Sequence, residues 1–327
     1  MSDSSSVVID NTHFYGYDFR HAGVSCFRHM FETCPSRAVY FRNMTVVLAT
    51  RARQLNLSDC SFEDVGNSFI NALAGRTSSV ELLTFEGENA PEEENVRLLL
   101  RSGNVQKLTL PQLDGDIVML PFSAKVDCLD YEIRSSSILD GDVQSLNIVA
   151  NKLAFTIFEE GDAFPVEATL AFLRRLVTLG HFIELKVRFT FDDDEMEVEI
   201  PDCMVQEVIC TAIANPKLQV LDLTLLNWKQ HAETLLQGLE VHKGLRILKF
   251  NVDEDAFGSN YALLRQFLSD NRNVTVMNED DEIYTDEADI NQLYSLNRIY
   301  LGSADLVVIP LREIIVDSDR LEKNGFK

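Results

Sequence analysis

Apolar residues in this chain come in triplets with the rhythm apolar-x-x-apolar-x-apolar, and the triplets return at nearly constant steps. The clearest run spans residues 217–277, where Leu218, Leu221 and Leu223 are followed 27 residues on by Leu245, Leu248 and Phe250, and 29 residues further by Val274 and Met277. Each triplet alternates as a half-buried strand does. The gaps carry apolar side chains at helical spacing, Ala232, Leu235, Leu236 and Leu239 in the first and Leu264, Phe267 and Leu268 in the second. One strand and one helix are therefore predicted for each step.

The first half keeps the same beat. Ala52, Leu55 and Leu57 are followed 28 residues later by Val80, Leu83 and Phe85, and 25 after that by Val105, Leu108 and Leu110. Ser61 with Asp64 reads as a capping box for a helix carrying Val65, Phe69 and Leu73 and ended by Gly75. A second short helix, 96–101, is closed by Gly103.

The middle is irregular. Val126, Leu129 and Tyr131 come after 21 residues and Val143, Leu146 and Ile148 after only 17, which leaves no room for an outer helix; Phe182, Leu185 and Val187 then follow after 39. The long step contains a predicted helix, 166–179, with Leu170, Leu173 and Val177 on one face and Gly180 as its stop. Residues 189–200 alternate about an acidic tip, Asp192–Glu195, and predict a β-hairpin insertion. Helices are expected at 204–214 and at 290–300, the latter carrying Ile290, Leu293, Leu296 and Tyr300.

Strand plus helix in 25 to 29 residues, with segments such as ARQLNLSDCSF (52–62) and VQSLNIVANKL (143–153), resembles the leucine-rich repeat of the ribonuclease-inhibitor-like type. The resemblance implies an α/β fold: a curved solenoid with a parallel β-sheet on its concave face, helices and irregular loops on its convex face, and capped ends. The domain plan is then a disordered N-terminus at 1–11, an N-terminal cap at 12–50, the leucine-rich-repeat solenoid at 51–285 with its insertion near 189–200, and a C-terminal cap and tail at 286–327. Cys60 and Asn151 occupy the position where such repeats satisfy backbone groups with a side chain.

Composition narrows the partners. The 52 acidic and 29 basic side chains give a net charge of −23, a field that repels nucleic acid and speeds encounter with basic proteins. The first ten residues lack the basic and apolar regions of a secretory signal, and no stretch reaches the roughly 18 apolar residues of a membrane helix, so the expectation is a cytoplasmic protein, with a nuclear one as the alternative. Six scattered cysteines without disulfide or zinc spacing fit reduced thiols.

No nucleophile elbow, phosphate loop, zinc-protease or calcium-loop motif is present, so no catalytic residue, metal or cofactor is assigned and the chain is read as a non-enzyme. His13, His21, Cys26, His29 and Cys34 form the one His/Cys-rich patch; they are assigned to the N-terminal cap, and Trp228 to packing. In a leucine-rich-repeat sheet the polar residues between the leucines point away from the core. That places Asp130, Glu132, Asn147, Glu184, Lys186, Arg188, Asp222, Thr224, Lys249 and Asn251 on the partner-binding face. The expected function is a scaffold binding a protein partner there. Two alternatives are a regulatory subunit that activates a GTPase, for which Glu279–Asp289 would stand as the acidic tail, and a substrate adaptor of a ubiquitin ligase.

Overall fold

The computed structural model describes residues 7–10, 38–42, 45–46, 53–62, 64–87, 92–161, 163–192 and 199–306. Eleven strands form one sheet in the order β1 (Val7–Asp10), β2 (Ala38–Arg42), β4 (Gln54–Ser58), β6 (Val80–Glu86), β7 (Val105–Leu110), β8 (Cys128–Arg134), β9 (Lys152–Glu159), β10 (Glu184–Phe191), β11 (Val220–Asn227), β12 (Ile247–Asn251) and β13 (Thr275–Met277). Every neighbouring pair is parallel, and the spatial order is the sequence order, so the sheet is open and never doubles back. Two short strands, β3 (Thr45–Val46) and β5 (Ser61–Phe62), pair beside it.

The register is set by one buried row. Leu55, Leu83, Leu108, Leu129, Leu153, Leu185, Leu221, Leu248 and Val276 face one another across consecutive strands, each no more than 2% exposed. A one-residue slip of any strand would turn its leucine outward, losing roughly 2 kcal/mol of burial per side chain.

Among the described residues the helices pack with the leucine row into one core: α1 (Asn67–Ala74), α2 (Glu93–Ser102), α3 (Ser135–Asp140), α4 (Val166–Leu179), α5 (Asp202–Ala214), α6 (Ala232–Leu239), α7 (Ala262–Asp270) and α8 (Asp289–Leu306). Contacts between successive helices run α1–α2, then α3 through α8. Between β7 and β8 two 3-10 turns, Gly115–Ile117 and Leu120–Ser123, replace an α-helix. Phe122 from the second turn fills the space, its ring tilted against Phe172 of α4 (5.1 Å) and edge-on to Tyr131 of β8 (5.5 Å). Along β8 and β10 buried and half-exposed residues alternate, the half-exposed ones on the other face.

Polar side chains tie each unit to the one before it. The last carbonyls of a helix lack intrahelical donors. Asn104 Nδ2 supplies one to Ala74 of α1 (2.9 Å), Asn215 Nδ2 to Leu176 of α4 (3.5 Å) as well as to Thr211 of its own helix (2.8 Å), and Asn297 Nδ2 to Leu268 of α7 (3.1 Å). Gly103 and Gly180 end α2 and α4 at φ 65° and 61°, the left-handed region where glycine is least strained. Gly244 serves otherwise: a Cβ there would sit 2.6 Å from the Pro216 carbonyl, so the close approach of two units excludes a side chain.

Several expectations are corrected. The triplet Val143, Leu146, Ile148 is not a strand: Val143–Ser145 is a 3-10 turn, and the strand between β8 and β10 is Lys152–Glu159. The step from β8 therefore has room for α3. Val276, not Met277, continues the leucine row. Phe189 and Phe191 continue the parallel strand β10, while residues 193–198, most of the tip and return of the expected hairpin, lie outside the described residues. Val7–Asp10, inside the stretch expected to be disordered, is β1, and β2 joins the sheet before residue 51. α1 starts at Asn67, with Asp64 Oδ2 accepting the Ser68 amide (2.7 Å) in place of a Ser61 cap. Val65 is exposed at φ 53°, outside the helix. α4 buries Phe172, Leu173 and Leu176 rather than Leu170 and Val177. α8 buries Ile290, Tyr294 and Asn297 and leaves Leu296 exposed.

Candidate protein-binding face

Strand alternation puts the even-numbered residues of β8, β9, β10 and β11 on the side opposite the leucine row. Two registers across this open face can be followed residue by residue. One reads Asp130, Ala154, Lys186, Asp222, Lys249; the other reads Glu132, Thr156, Arg188. Nine of the ten residues assigned to the face from sequence, all but Asn147, lie on β8, β10, β11 and β12. Asn147 is exposed in the loop before β9, displaced with the misread triplet. The positions missed in its place are Lys152, Ala154, Thr156 and Phe158 of β9. Their signal was the alternation Leu153, Phe155, Ile157.

The charges on this face are largely paired within the protein. Glu184 lies between Lys152 (3.4 Å) and Lys186 (3.5 Å), Lys186 also reaches Asp222 (3.9 Å), and Arg188 reaches Asp130 (3.4 Å). Lys249 pairs with Asp281 beyond β13. Asn251 donates to Glu279 Oε2 (2.8 Å) and accepts the Glu279 amide (3.1 Å). Asp222 and Thr224 are buried, with the Thr224 hydroxyl donating to Asp222 Oδ1 (2.9 Å), so they form the floor rather than the rim. Ala154 and Thr156 are buried as well and complete that floor under the longer side chains beside them.

Two ionisable groups on the face are shifted by burial. The Glu132 carboxyl is pushed above its ordinary range, opposed by the nearby Arg134 guanidinium, and has no ion-pair partner among the described residues. Burial also raises the Cys128 thiol, with Lys107 opposing, which keeps it protonated and a poor nucleophile.

The acidic run after β13 is folded against its neighbours. Besides the contacts of Glu279 and Asp281, Asp286 and Asp289 hold Arg265 of α7 (3.6 and 3.0 Å), and the Tyr284 hydroxyl donates toward the Phe250 and Val252 carbonyls (3.1 Å each). Cys60 is buried with its thiol near the Ser58 carbonyl (3.4 Å), and Trp228 is buried with its indole N–H donating to the Leu223 carbonyl (2.8 Å). The His/Cys-rich patch of residues 13–34 lies outside the described residues. Among the described residues no group of three or more His, Cys, Asp and Glu converges as a metal site, and no helix is long and apolar enough to cross a membrane.

No protein-family model matches the chain, and no curated protein matches it. The α/β array of parallel strands and packed helices is thus established by its own geometry.

Proposed function

We propose that the chain is a leucine-rich-repeat protein of the ribonuclease-inhibitor-like type, curved so that the open sheet face is concave, and that this face binds a protein partner without catalysis of its own. The observation that carries this reading is the pair of in-register rows on β8 to β12. They hold charged side chains in fixed positions over a buried floor, so a partner meets a preorganised surface rather than long mobile chains. Pairing within the face favours a partner that matches its alternating signs over one attracted by net charge alone. The thiols of Cys128, Cys203 and Cys210, which form no disulfide, suit a reducing cytoplasmic or nuclear setting.

Proximity labelling followed by cross-linking identifies the partner and the face. Charge reversal of Glu184 to Lys or Lys249 to Glu is expected to weaken that complex by at least tenfold. Val241→Lys, on the helix layer and exposed, should leave it unchanged. Loss of binding through the helix-layer substitution alone would overturn the assignment of the face.

A further inference from the structure

At the C-terminal ends of β11, β12 and β13 lies a cleft of about 600 Å³, lined by residues that the partner-face assignment mostly leaves out. Three successive units each contribute an asparagine to it, Asn227, Asn251 and Asn278, the first two at matching register. Much of the donor capacity in the lining is spent inside the protein. The Asn251 amide donates to Glu279, that of Asn278 to Glu282 Oε2 (3.2 Å), and the Tyr284 hydroxyl to backbone carbonyls. No lysine or arginine lines the cleft. Asp253 is paired from outside with Lys229 (2.8 Å), which leaves Glu254, hydrogen-bonded to Tyr261, and Glu279 as carboxylates without a cation among the described residues. Burial pushes the Tyr284 hydroxyl up against the opposing hydrogen bond to Val252, and the nearby charges of Glu279, Asp253 and Glu254 add to the shift. The remaining wall, Leu226, Val252 and the Tyr284 ring, is apolar.

An acceptor-rich cavity with one apolar wall is the complement of a guanidinium on its aliphatic stem. Its planar fork can span two carboxylates, while the stem covers Leu226 and Val252. We infer that this cleft is the receptor for an arginine side chain of the protein partner. The inference rests on the proposed function, because Thr224 and Asn251 belong both to the cleft and to the open face, so a partner seated on β11 and β12 reaches it directly. The net charge of −23 steers such a basic group toward the chain.

The test is a nuclear magnetic resonance titration of the full chain with N-acetyl-arginine methylamide, and with the citrulline analogue as its neutral isostere. The expected result is saturable shifts in the side-chain amides of Asn227, Asn251 and Asn278 with arginine and none with citrulline. The Glu254→Gln, Glu279→Gln double variant, whose glutamine carbonyl still accepts from Asn251, should weaken the arginine response at least tenfold while the rest of the spectrum stays in place. Equal response to citrulline, shifts scattered over the acidic surface, or a response unchanged in the double variant would each overturn the inference. Those outcomes leave the open-face charge reversals untouched. Conversely, a partner indifferent to Glu184 and Lys249 would remove the proposed function while the arginine titration could still succeed.

Discussion

Arg188 on β10 places its guanidinium 3.4 Å from the carboxylate of Asp130 on β8, two strands away, although β9 runs between them. The bridge is possible because β9 presents Ala154 and Thr156 at those registers, both short and both buried beneath the crossing side chain. A double-mutant cycle on Arg188 and Asp130 should give a coupling of about 1 kcal/mol, since both partners are less than a third exposed. Repeating the cycle in an Ala154→Leu background, where the new side chain occupies the path, should bring the coupling near zero. Urea unfolding of the four variants in each background measures it.

The buried row predicts where stability resides. Leu221→Ala removes a side chain that is 2% exposed and packed between Leu185 and Leu248, and is expected to cost about 2–5 kcal/mol. Val241→Ala, at 65% exposure, should stay within about 0.5 kcal/mol. Because each unit touches mainly its neighbours, native-state hydrogen exchange should show the loss most strongly in the amides of β10, β11 and β12 and more weakly in β4.

The contrast between Leu221 and Val143 explains how far the sequence could be read. Strands were legible wherever the apolar triplet met no rival match nearby, as at β4, β6, β7, β8, β10, β11 and β12. They were misread where a local match competed with a better one nearby. Residues 143–153 satisfy the repeat rhythm completely, yet strand pairing selects Lys152–Glu159, because Leu153, Phe155 and Ile157 bury three large side chains in register with both neighbours. That choice depends on β8 and β10, which no local window contains. The same limit applied at β13, where a one-residue difference decides whether Val276 or Met277 faces the core. The identity of most open-face residues followed from strand phase alone. Their pairing did not: Arg188 and Asp130 are 58 positions apart, and only the order of the strands brings them together.

Asn215 illustrates a polar group whose value lies in joining units. It is fully buried, its Oδ1 accepts the Phe182 amide at the entry to β10 (3.0 Å), and its Nδ2 donates to the Thr211 carbonyl of α5. His242 from the following unit approaches its backbone carbonyl at 3.0 Å. Asn215→Ala leaves a buried N–H and a buried carbonyl without partners, which should cost about 2–6 kcal/mol, from roughly 1–3 kcal/mol per orphaned group. Asn215→Asp keeps the acceptor for Phe182 and can donate to the Thr211 carbonyl only while its carboxyl is protonated, so it should fall between the alanine variant and the wild type in thermal unfolding at acidic pH and lose ground as the carboxyl ionises.

Glu132 makes the sign of a pH effect testable. Burial on the open face raises its carboxyl above the ordinary value of 4.5, and Arg134 only partly opposes this. The folded state therefore holds its proton more tightly than the unfolded state does. The resulting stabilisation is complete below about pH 4.5 and is lost as pH rises through the folded value. Glu132→Gln cannot ionise and escapes that loss. Its melting temperature should match the wild type near pH 4 and then exceed it by a growing margin as pH rises, levelling once Glu132 is fully charged. Carboxylates held low, such as Asp281 by Lys249, tilt the absolute stability the other way, so the informative quantity is the difference between variant and wild type at each pH. A constant difference would mean that the substitution acts through packing; a difference that shrinks with rising pH would mean that an opposite charge, rather than burial, dominates around Glu132.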